Sequence, residues 1–238
     1  MIAEPLARPV PLRFMAIPEN DSRPPRTPRI GVLISGRGSN LQSILDAIAA
    51  GRLRAAVSVV ISNRAQAAGL QRARDSGVDA LVLSPRDYPD RDAYDRAIVN
   101  MLRARDVDLV CLAGYMRLVG APLLDAFPNR MLNIHPSLLP SFPGLDAQRQ
   151  ALEHGVRVTG ATVHFVNADL DAGPIVLQAA VPVLDGDTVE TLSARVLVEE
   201  HRLYPEAIGI VLAGGWSIDD RRFVTTRGPS PLPARPAL

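Results

Sequence analysis

The feature that most constrains the fold of this chain is an alternation of apolar runs and helical segments between residues 29 and 134. The apolar runs are continuous and rich in Val, Ile and Leu, as in 29–35, 56–62 and 109–113. Strands that are buried on both faces have this composition, and helices commonly separate parallel strands. The pattern therefore predicts an α/β fold of three layers, in which helices cover both faces of a Rossmann-like, mostly parallel sheet.

The second half of the chain has a different pattern. The segments 158–166 and 175–184 are longer apolar runs that follow one another without an obvious helix between them, which predicts antiparallel pairing. A long helix is expected to close the fold, with Gly214 and Gly215 ending it. The predicted elements are strands 29–35, 56–62, 80–83, 109–113, 131–134, 158–166 and 175–184, and helices 41–50, 65–76, 91–105 and 189–212.

Proline-rich segments flank this regular region. Residues 1–28 are rich in Pro and Arg and show no apolar period, and residues 226–238 contain four further prolines. Such segments cannot bury enough apolar surface to fold, so both are predicted to be flexible extensions. Residues 29–225 are predicted to form a single domain.

Composition excludes several classes of function. The net charge of the 238 residues is +1 and only 4% are aromatic, so the chain lacks the basic surface and stacking groups typical of nucleic-acid binding. Cys111 is the single cysteine and lies in an apolar run, where we expect it to pack as a small hydrophobe. No run approaches the ~20 apolar residues that span a bilayer, and prolines interrupt the N-terminus, so a cytoplasmic protein is expected.

A polar pair marks the end of the predicted strand 131–134. Asn133 and His135 are two residues apart and would share one face, and Pro136 opens the strand into a loop. Such a pair suits polar chemistry on a carbonyl, because the amide stabilises an oxyanion while the imidazole moves a proton. The alternative is a hydrogen-bonded core histidine beside an asparagine.

The segment 35–40, Ser-Gly-Arg-Gly-Ser-Asn, joins the first strand to the first helix. Its glycines and the helix N-terminus favour an anion, and Ser39 and Asn40 could add polar contacts to a phosphate monoester. The loop fits a dinucleotide-binding site less well, because the third glycine of that motif and the acidic residue after the second strand are missing. The other alternative is a glycine-rich turn in which Ser39 or Asn40 caps the helix.

Two further loops fall at predicted strand ends. The apolar turn 114–119 could form the wall of a flat ligand site, although core packing of Met116 and Leu118 is an equal alternative. The turn 167–174 carries Asp169 and Asp171, which could be solvated or could approach His135. In the second case the carboxylate would raise the pKa of His135 and favour the protonated imidazole. We expect His135 and Asp171 to lie on exposed elements of the site.

Five segments together resemble the glycinamide ribonucleotide formyltransferases, over about residues 29–222 and in the same order. They are ISGRGSN, LAGYMRLV, NIHPSLLPSFPGLDAQRQAL, GATVHFVNADLDAGPIVLQ and EEHRLYP. The resemblance implies the formyltransferase fold, with a nucleotide-binding half over 29–128 and a folate-binding and catalytic half over 129–225. It also implies transfer of a formyl group from 10-formyltetrahydrofolate, as co-substrate, to the amine of 5′-phosphoribosylglycinamide in purine synthesis, with no metal.

The resemblance assigns roles to individual residues. The implied catalytic residues are Asn133, His135 and Asp171. The residues implied to bind the nucleotide are Gly38, Ser39, Asn40 and Glu200. The residues implied to bind folate are Arg91, Met116, Arg117, Leu118, Val119 and Asn133. Some members of the family have histidines where this chain has Asp146 and Gln148.

Three alternatives share parts of these motifs. Formyltetrahydrofolate hydrolases carry an additional N-terminal regulatory domain, and methionyl-tRNA formyltransferases carry an additional C-terminal domain. A non-catalytic folate- or nucleotide-binding module would keep the phosphate loop without the Asn, His and Asp set. The expected partners are small molecules, with neither nucleic acid nor membrane, and the expected assembly is a monomer or homodimer. The sequence leaves open whether His164 faces the site or packs in the core.

Overall fold

The computed structural model of the protein describes residues 26–226. The two predicted flexible extensions, 1–28 and 226–238, lie outside the described residues except for 26–28 and 226. The described strands are β1 (Arg29–Ile34), β2 (Ala56–Ser62), β3 (Ala80–Val82), β4 (Leu109–Leu112), β5 (Met131–His135), β6 (Val158–Phe165), β7 (Ile175–Pro182), β8 (Trp216–Asp219) and β9 (Arg222–Thr225). The α-helices are α1 (Ser39–Ala49), α2 (Gly69–Asp75), α3 (Arg91–Arg103), α4 (Ala121–Ala126), α5 (Ala147–His154) and α6 (Val189–Ala213).

All of these strands join in one sheet, in the order β3-β2-β1-β4-β5-β6-β7-β9-β8. The pairs from β3 to β5 are parallel, whereas β6 runs antiparallel to both β5 and β7. This confirms the predicted mixed sheet, parallel first and antiparallel towards the C-terminus. The strand order changes direction beside β1, since β2 lies on one side of it and β4 on the other. In sheets of this kind, ligands bind at the carboxyl ends of the strands that flank such a point.

The core consists of two apolar clusters on opposite faces of the sheet. Along β4, Leu109 and Cys111 belong to one cluster and Val110 and Leu112 to the other, as the period of two in a strand requires. Helices α1, α2 and α6 contribute to the first cluster, and α3 contributes to the second. The predicted three layers are therefore confirmed, and Cys111 packs as a buried small hydrophobe, as predicted.

Helix α6 is fixed to the centre of the sheet by Tyr204. The Tyr204 hydroxyl lies 2.9 Å from the Leu112 carbonyl oxygen and 3.1 Å from that of Leu132, so it is shared between β4 and β5. The ring is completely buried. A buried hydroxyl needs such a partner, and here the partners are the strands that lead into the candidate site.

Some elements differ from the prediction. Helix α2 begins at Gly69 rather than at residue 65, because the preceding residues form a turn against the loop after β1. Helix α4 and the hairpin of β8 and β9 were not predicted, because six-residue and four-residue elements are too short to show a clear period. Trp216 and Phe223 of the hairpin pack against Phe165, with ring centroids 5.3 and 5.9 Å away. Within residues 26–226 no helix has the length and apolar character needed to cross a membrane.

Candidate active site

The three residues predicted to be catalytic lie together at the carboxyl end of β5. Asn133 and His135 are on this strand, and Asp171 reaches them from the turn between β6 and β7. His135 Nδ1 is 3.4 Å from Asp171 Oδ2, and the Asn133 amide Nδ2 is 3.4 Å from Asp171 Oδ1. The fold thus brings an amide, an imidazole and a carboxylate into one cluster.

Asp171 is the carboxylate of its turn that reaches the site, whereas Asp169 is exposed. The Gly144 N–H donates to Asp171 Oδ2 at 2.8 Å, and the Asp171 side chain is only 9% exposed. Burial raises the pKa of this carboxyl, but His164, the Gly144 N–H and the charge of His135 outweigh burial and leave the pKa below its ordinary value. Asp171 is therefore an ionised, firmly held acceptor.

His135 corrects one expectation and limits another. It is only 4% exposed, so the expectation that it lies on an exposed element is wrong. Burial is the main influence on the His135 pKa and lowers it, while the Phe142 carbonyl and Asp171 raise it by less. The net pKa therefore lies below the ordinary value, because burial destabilises the imidazolium by more than the nearby carboxylate stabilises it.

Both ring nitrogens of His135 face oxygen atoms that can only accept, so the neutral ring donates to one of them and presents a lone pair to the other. His135 Nε2 lies 2.8 Å from the Phe142 carbonyl oxygen, to which an N–H at Nε2 donates. The lone pair of Nδ1 then faces Asp171. A proton arriving at Nδ1 would find a carboxylate beside it, so this ring is arranged as a general base.

His164 is a site residue whose position the sequence left open. It pairs with Asn133 across β5 and β6, and its Nε2 is 3.2 Å from Asn133 Nδ2. Its Nδ1 faces the Phe165 carbonyl oxygen at 2.8 Å, and in the neutral tautomer with the proton on Nδ1, Nε2 accepts a hydrogen bond from the Asn133 amide. His164 thereby fixes the orientation of that amide. The position of His164 beside Asn133 follows from the register of the two antiparallel strands, and the apolar pattern of the sequence alone does not determine that register.

The loop after β1 is open to an anion. Helix α1 begins at Ser39, and the residue before it is Gly38, which has a φ of 73° and provides no side-chain cap. The alternative in which Ser39 or Asn40 caps the helix is therefore wrong, and the N–H groups of the first turn remain available. Helix α2 supports the loop, because the Gly69 N–H donates to the Gly36 oxygen at 3.0 Å and Arg72 Nε donates to the Arg37 oxygen at 3.0 Å.

Gly38 and Gly36 offer a matched test of this loop. A Cβ at Gly38 would lie 2.5 Å from Gly69 Cα in a left-handed backbone, whereas a Cβ at Gly36 would meet nothing within 4 Å. We expect Gly38→Ala to lower the free energy of unfolding by about 2–4 kcal/mol and Gly36→Ala to change it by less than about 0.5 kcal/mol. Urea unfolding of both variants measures the difference, and equal losses would contradict the proposed packing of the loop on α2.

Asn40 and Glu200 meet although 160 residues separate them in the chain. Asn40 Nδ2 donates to Glu200 Oε2 at 2.6 Å. The carbonyl oxygen of the same amide is buried and has no hydrogen-bond partner among residues 26–226. Burial raises the pKa of Glu200, partly offset by the Asn40 hydrogen bond and the charge of Arg37. The pair thus provides an acceptor and a carboxyl beside residues 35–40, which we call the phosphate loop after its predicted ligand, and Ser39 of this loop lines an adjoining groove.

The residues predicted to contact folate lie around the loop after β4. Met116 and Leu118 are 57% and 61% exposed, so the core-packing alternative for these two residues is wrong. Arg117 stacks over the Tyr94 ring with its guanidinium carbon 5.0 Å from the centroid. Arg91, the first residue of α3, is exposed. The half-buried Val119 packs on the second apolar cluster, which leaves the apolar side chains at the middle of the loop open.

Metal ligands do not cluster in the described part of the chain. No group of three or more His, Cys, Asp or Glu side chains between residues 26 and 226 is arranged to hold a metal ion. The His135, His164 and Asp171 set is instead connected by hydrogen bonds to Phe142, Phe165 and Gly144.

Comparison with known proteins identifies relatives over most of the chain. The phosphoribosylglycinamide formyltransferase of Escherichia coli is 45% identical over 192 residues, covering 81% of this chain and 88% of the relative. The bovine trifunctional purine biosynthetic protein adenosine-3 is 50% identical over 190 residues, but the match covers 80% of this chain and only 19% of that protein. The chain thus spans about a fifth of the trifunctional relative.

Solved structures agree with these relatives. The glycinamide ribonucleotide transformylase 1 of Symbiobacterium toebii has a TM-score of 0.82 and 65% sequence identity, covering 83% of this chain and 93% of that one. The formyl transferase family matches residues 28–208, which include β1 to β7, the phosphate loop and the Asn133, His135 and Asp171 cluster. With more than half of its length matched, the chain belongs to the formyl transferase family.

Proposed function

We propose that the protein transfers the formyl group of 10-formyltetrahydrofolate to the amine of 5′-phosphoribosylglycinamide in purine biosynthesis. The products are 5′-phosphoribosyl-N-formylglycinamide and tetrahydrofolate. The observation that supports this most is the convergence of Asn133, His135 and Asp171 on one point at the sheet edge, the same edge that carries the phosphate loop. Relatives with this activity in their names cover most of the chain.

The reaction begins when the amine nitrogen attacks the formyl carbon. A C–N bond forms, the formyl oxygen becomes negative, and the attacking nitrogen becomes positive. The Asn133 amide is proposed to donate to this oxygen the hydrogen that points to Asp171 Oδ1 at 3.4 Å in the structure, and a positioned donor of this kind contributes about 3 kcal/mol to the transition state. His164 holds the amide from behind, so little reorientation is required when the charge develops.

The second step moves a proton from the attacking nitrogen to the leaving nitrogen. Neutral His135 accepts the proton at Nδ1, where Asp171 stabilises the imidazolium and the Phe142 carbonyl continues to accept from Nε2. The protonated ring then returns the proton to N10 of the folate. The C–N10 bond breaks, the formyl carbonyl re-forms on the product, and tetrahydrofolate leaves.

The two substrates are proposed to enter from different sides. Gly38, Ser39 and Asn40 bind the phosphate, and Glu200 with the unpartnered Asn40 oxygen binds the glycinamide part. Arg91, Met116, Arg117, Leu118, Val119 and Asn133 contact the folate. The predicted division into a nucleotide half over 29–128 and a folate and catalytic half over 129–225 does not follow these residues, because Arg91 and residues 116–119 lie in the first half and Glu200 in the second. We further propose a cytoplasmic enzyme that needs no metal and acts as a monomer or homodimer on small molecules.

A single assay tests the activity. Purified protein is mixed with 10-formyltetrahydrofolate, with and without 5′-phosphoribosylglycinamide, and release of tetrahydrofolate is followed. Release that requires the nucleotide supports the proposal. Release without the nucleotide would indicate a hydrolase, and binding of either substrate without any release would indicate a non-catalytic module.

A charge placed at the helix N-terminus tests the phosphate site. Ser39→Asp puts a carboxylate where the phosphate is expected, so like-charge repulsion should raise the nucleotide KM by about tenfold or more. Ser39→Ala is the neutral control and should raise it only about threefold through loss of one hydroxyl. Steady-state kinetics at fixed folate measure both values. A nucleotide KM that is unchanged in Ser39→Asp would argue against the phosphate loop.

A further inference from the structure

Ser35 lies between the two loops that are proposed to bind the two substrates. It follows the last residue of β1 and immediately precedes Gly36 of the phosphate loop. The residue is only 3% exposed, so its hydroxyl is turned into the protein and not towards a bound nucleotide.

Three hydrogen bonds connect Ser35 to neighbouring strand ends. Its Oγ donates to Asn63 Oδ1 at 2.6 Å, and accepts from the Met116 N–H at 2.8 Å. Its own N–H donates to the Gly114 oxygen at 3.1 Å. The hydroxyl therefore uses both its donor and its acceptor capacity, and two of the three bonds end on the loop that follows β4.

The same loop has a second anchor at its other end. The Gly120 N–H donates to the buried Asp95 carboxylate at 2.7 Å. The loop is thus anchored by Ser35 near its start and by Asp95 at its end, while the side chains of Met116 and Leu118 are exposed. The position of these two side chains therefore depends on how the loop backbone is held. Of the two anchors, only Ser35 belongs to the segment that forms the phosphate loop.

We propose that Ser35 is a positioning residue that holds the folate loop, residues 114–120, at a fixed distance from the phosphate loop. It acts through the Met116 N–H and touches neither substrate. This inference rests on the proposed function, because it assigns folate to the loop 114–120. It predicts that loss of the hydroxyl harms folate binding selectively, although Ser35 is adjacent in sequence to the nucleotide site.

The test compares Ser35→Ala with a matched control. Ser62 is also a buried serine at the end of a neighbouring strand, but its hydroxyl bonds only to the backbone of Arg64. We expect Ser35→Ala to raise the folate KM by about tenfold, equivalent to about 1.4 kcal/mol, with the nucleotide KM within about twofold. Ser62→Ala should lower the melting temperature by about as much as Ser35→Ala does, and should leave both KM values within about twofold of the wild type.

Two further variants separate the hydroxyl from the space it fills. Ser35→Thr keeps the hydroxyl and should hold the folate KM within about threefold of the wild type. Ser35→Cys fills a similar space with a weak hydrogen-bonding group and takes the place of Ser35→Ala if that variant does not fold. A folate KM that rises equally in Ser35→Thr, or equally in Ser62→Ala, would overturn the proposal, as would an unchanged folate KM in Ser35→Ala.

Equilibrium binding keeps this inference separate from the proposed reaction. Calorimetric titration with tetrahydrofolate alone needs neither the nucleotide nor turnover. Wild-type binding that weakens about tenfold in Ser35→Ala supports the positioning role even if the transferase assay fails. Equal binding in both proteins would overturn that role even if the assay succeeds.

Discussion

Replacement of His135 by alanine is expected to lower kcat by about a thousandfold. Proton transfer by a positioned side chain typically contributes between about a hundredfold and ten-thousandfold, and His135 Nδ1 lies 3.4 Å from the Asp171 carboxylate that would stabilise the imidazolium. The Asn133 amide remains in the variant, so stabilisation of the oxyanion should leave measurable residual activity. The nucleotide KM should change by less than about threefold, because the phosphate loop follows β1, two strands away from β5, and the polar contacts of His135 are with Phe142 and Asp171 instead.

Stopped-flow or discontinuous measurement of tetrahydrofolate release gives the two kinetic constants. His154→Ala is a useful control, since His154 ends α5 and is exposed, and contacts the ring of Phe142 with centroids 5.7 Å apart. We expect this control to keep kcat within about twofold of the wild type. A kcat for His135→Ala within tenfold of the wild type would remove the proton-transfer role of this residue.

Asp171→Asn is expected to lower kcat by about a hundredfold to a thousandfold and to change its pH dependence. The asparagine has nearly the same shape as aspartate and its carbonyl oxygen can still accept from the Gly144 N–H. The fall in kcat therefore measures the loss of the negative charge. That charge stabilises the imidazolium formed at His135 during the reaction, and loss of a comparable carboxylate beside a catalytic histidine is worth several orders of magnitude.

The direction of the pH change follows from the His135 pKa. The base must be neutral, so activity rises with pH through the His135 pKa, which burial places below the ordinary value. The Asp171 charge raises this pKa, and removing the charge lowers it further. The acidic limb of the kcat/KM profile should therefore move to lower pH in Asp171→Asn, even though the plateau is lower.

Asp169→Asn is the matched control for this prediction. Asp169 lies in the same turn but is exposed, and its removal changes the net charge of the protein by the same amount. We expect the control to keep both the plateau and the pH profile of the wild type. A shift of the acidic limb to higher pH in Asp171→Asn, or the same shift in Asp169→Asn, would contradict the assigned role of Asp171.

The sequence predicts best those features that depend on neighbouring residues. The buried strands of the parallel part are visible because a run of Val, Ile and Leu is itself the signal. The phosphate loop is visible because Gly36 and Gly38 stand between a strand and a helix. Asn133 and His135 are predicted to share a face by the period of the strand alone, and both lie on β5 with their side chains at the site.

The features that depend on tertiary structure were harder to predict. Asp171 reaches His135 through a turn in which Asp171 itself has a φ of 49°, and no spacing in the chain indicates this. His164 faces Asn133 because of the register of β5 and β6. Asp171 raises the His135 pKa, as predicted, but the net shift is downward because burial, a property of the assembled fold, outweighs the carboxylate. The hairpin of β8 and β9 was missed because its strands have only four residues each.

The hydroxyl of Tyr204 has a consequence for motion during the catalytic cycle. Tyr204 follows Glu200 by one turn of α6, and its hydroxyl is shared by the carbonyl groups of Leu112 and Leu132. Any sliding or rotation of α6 over the sheet would leave the buried Tyr204 hydroxyl without its strand partners, at a cost of about 1–3 kcal/mol. Glu200 and Asn133 therefore belong to one rigid body, which keeps their spacing constant through the catalytic cycle.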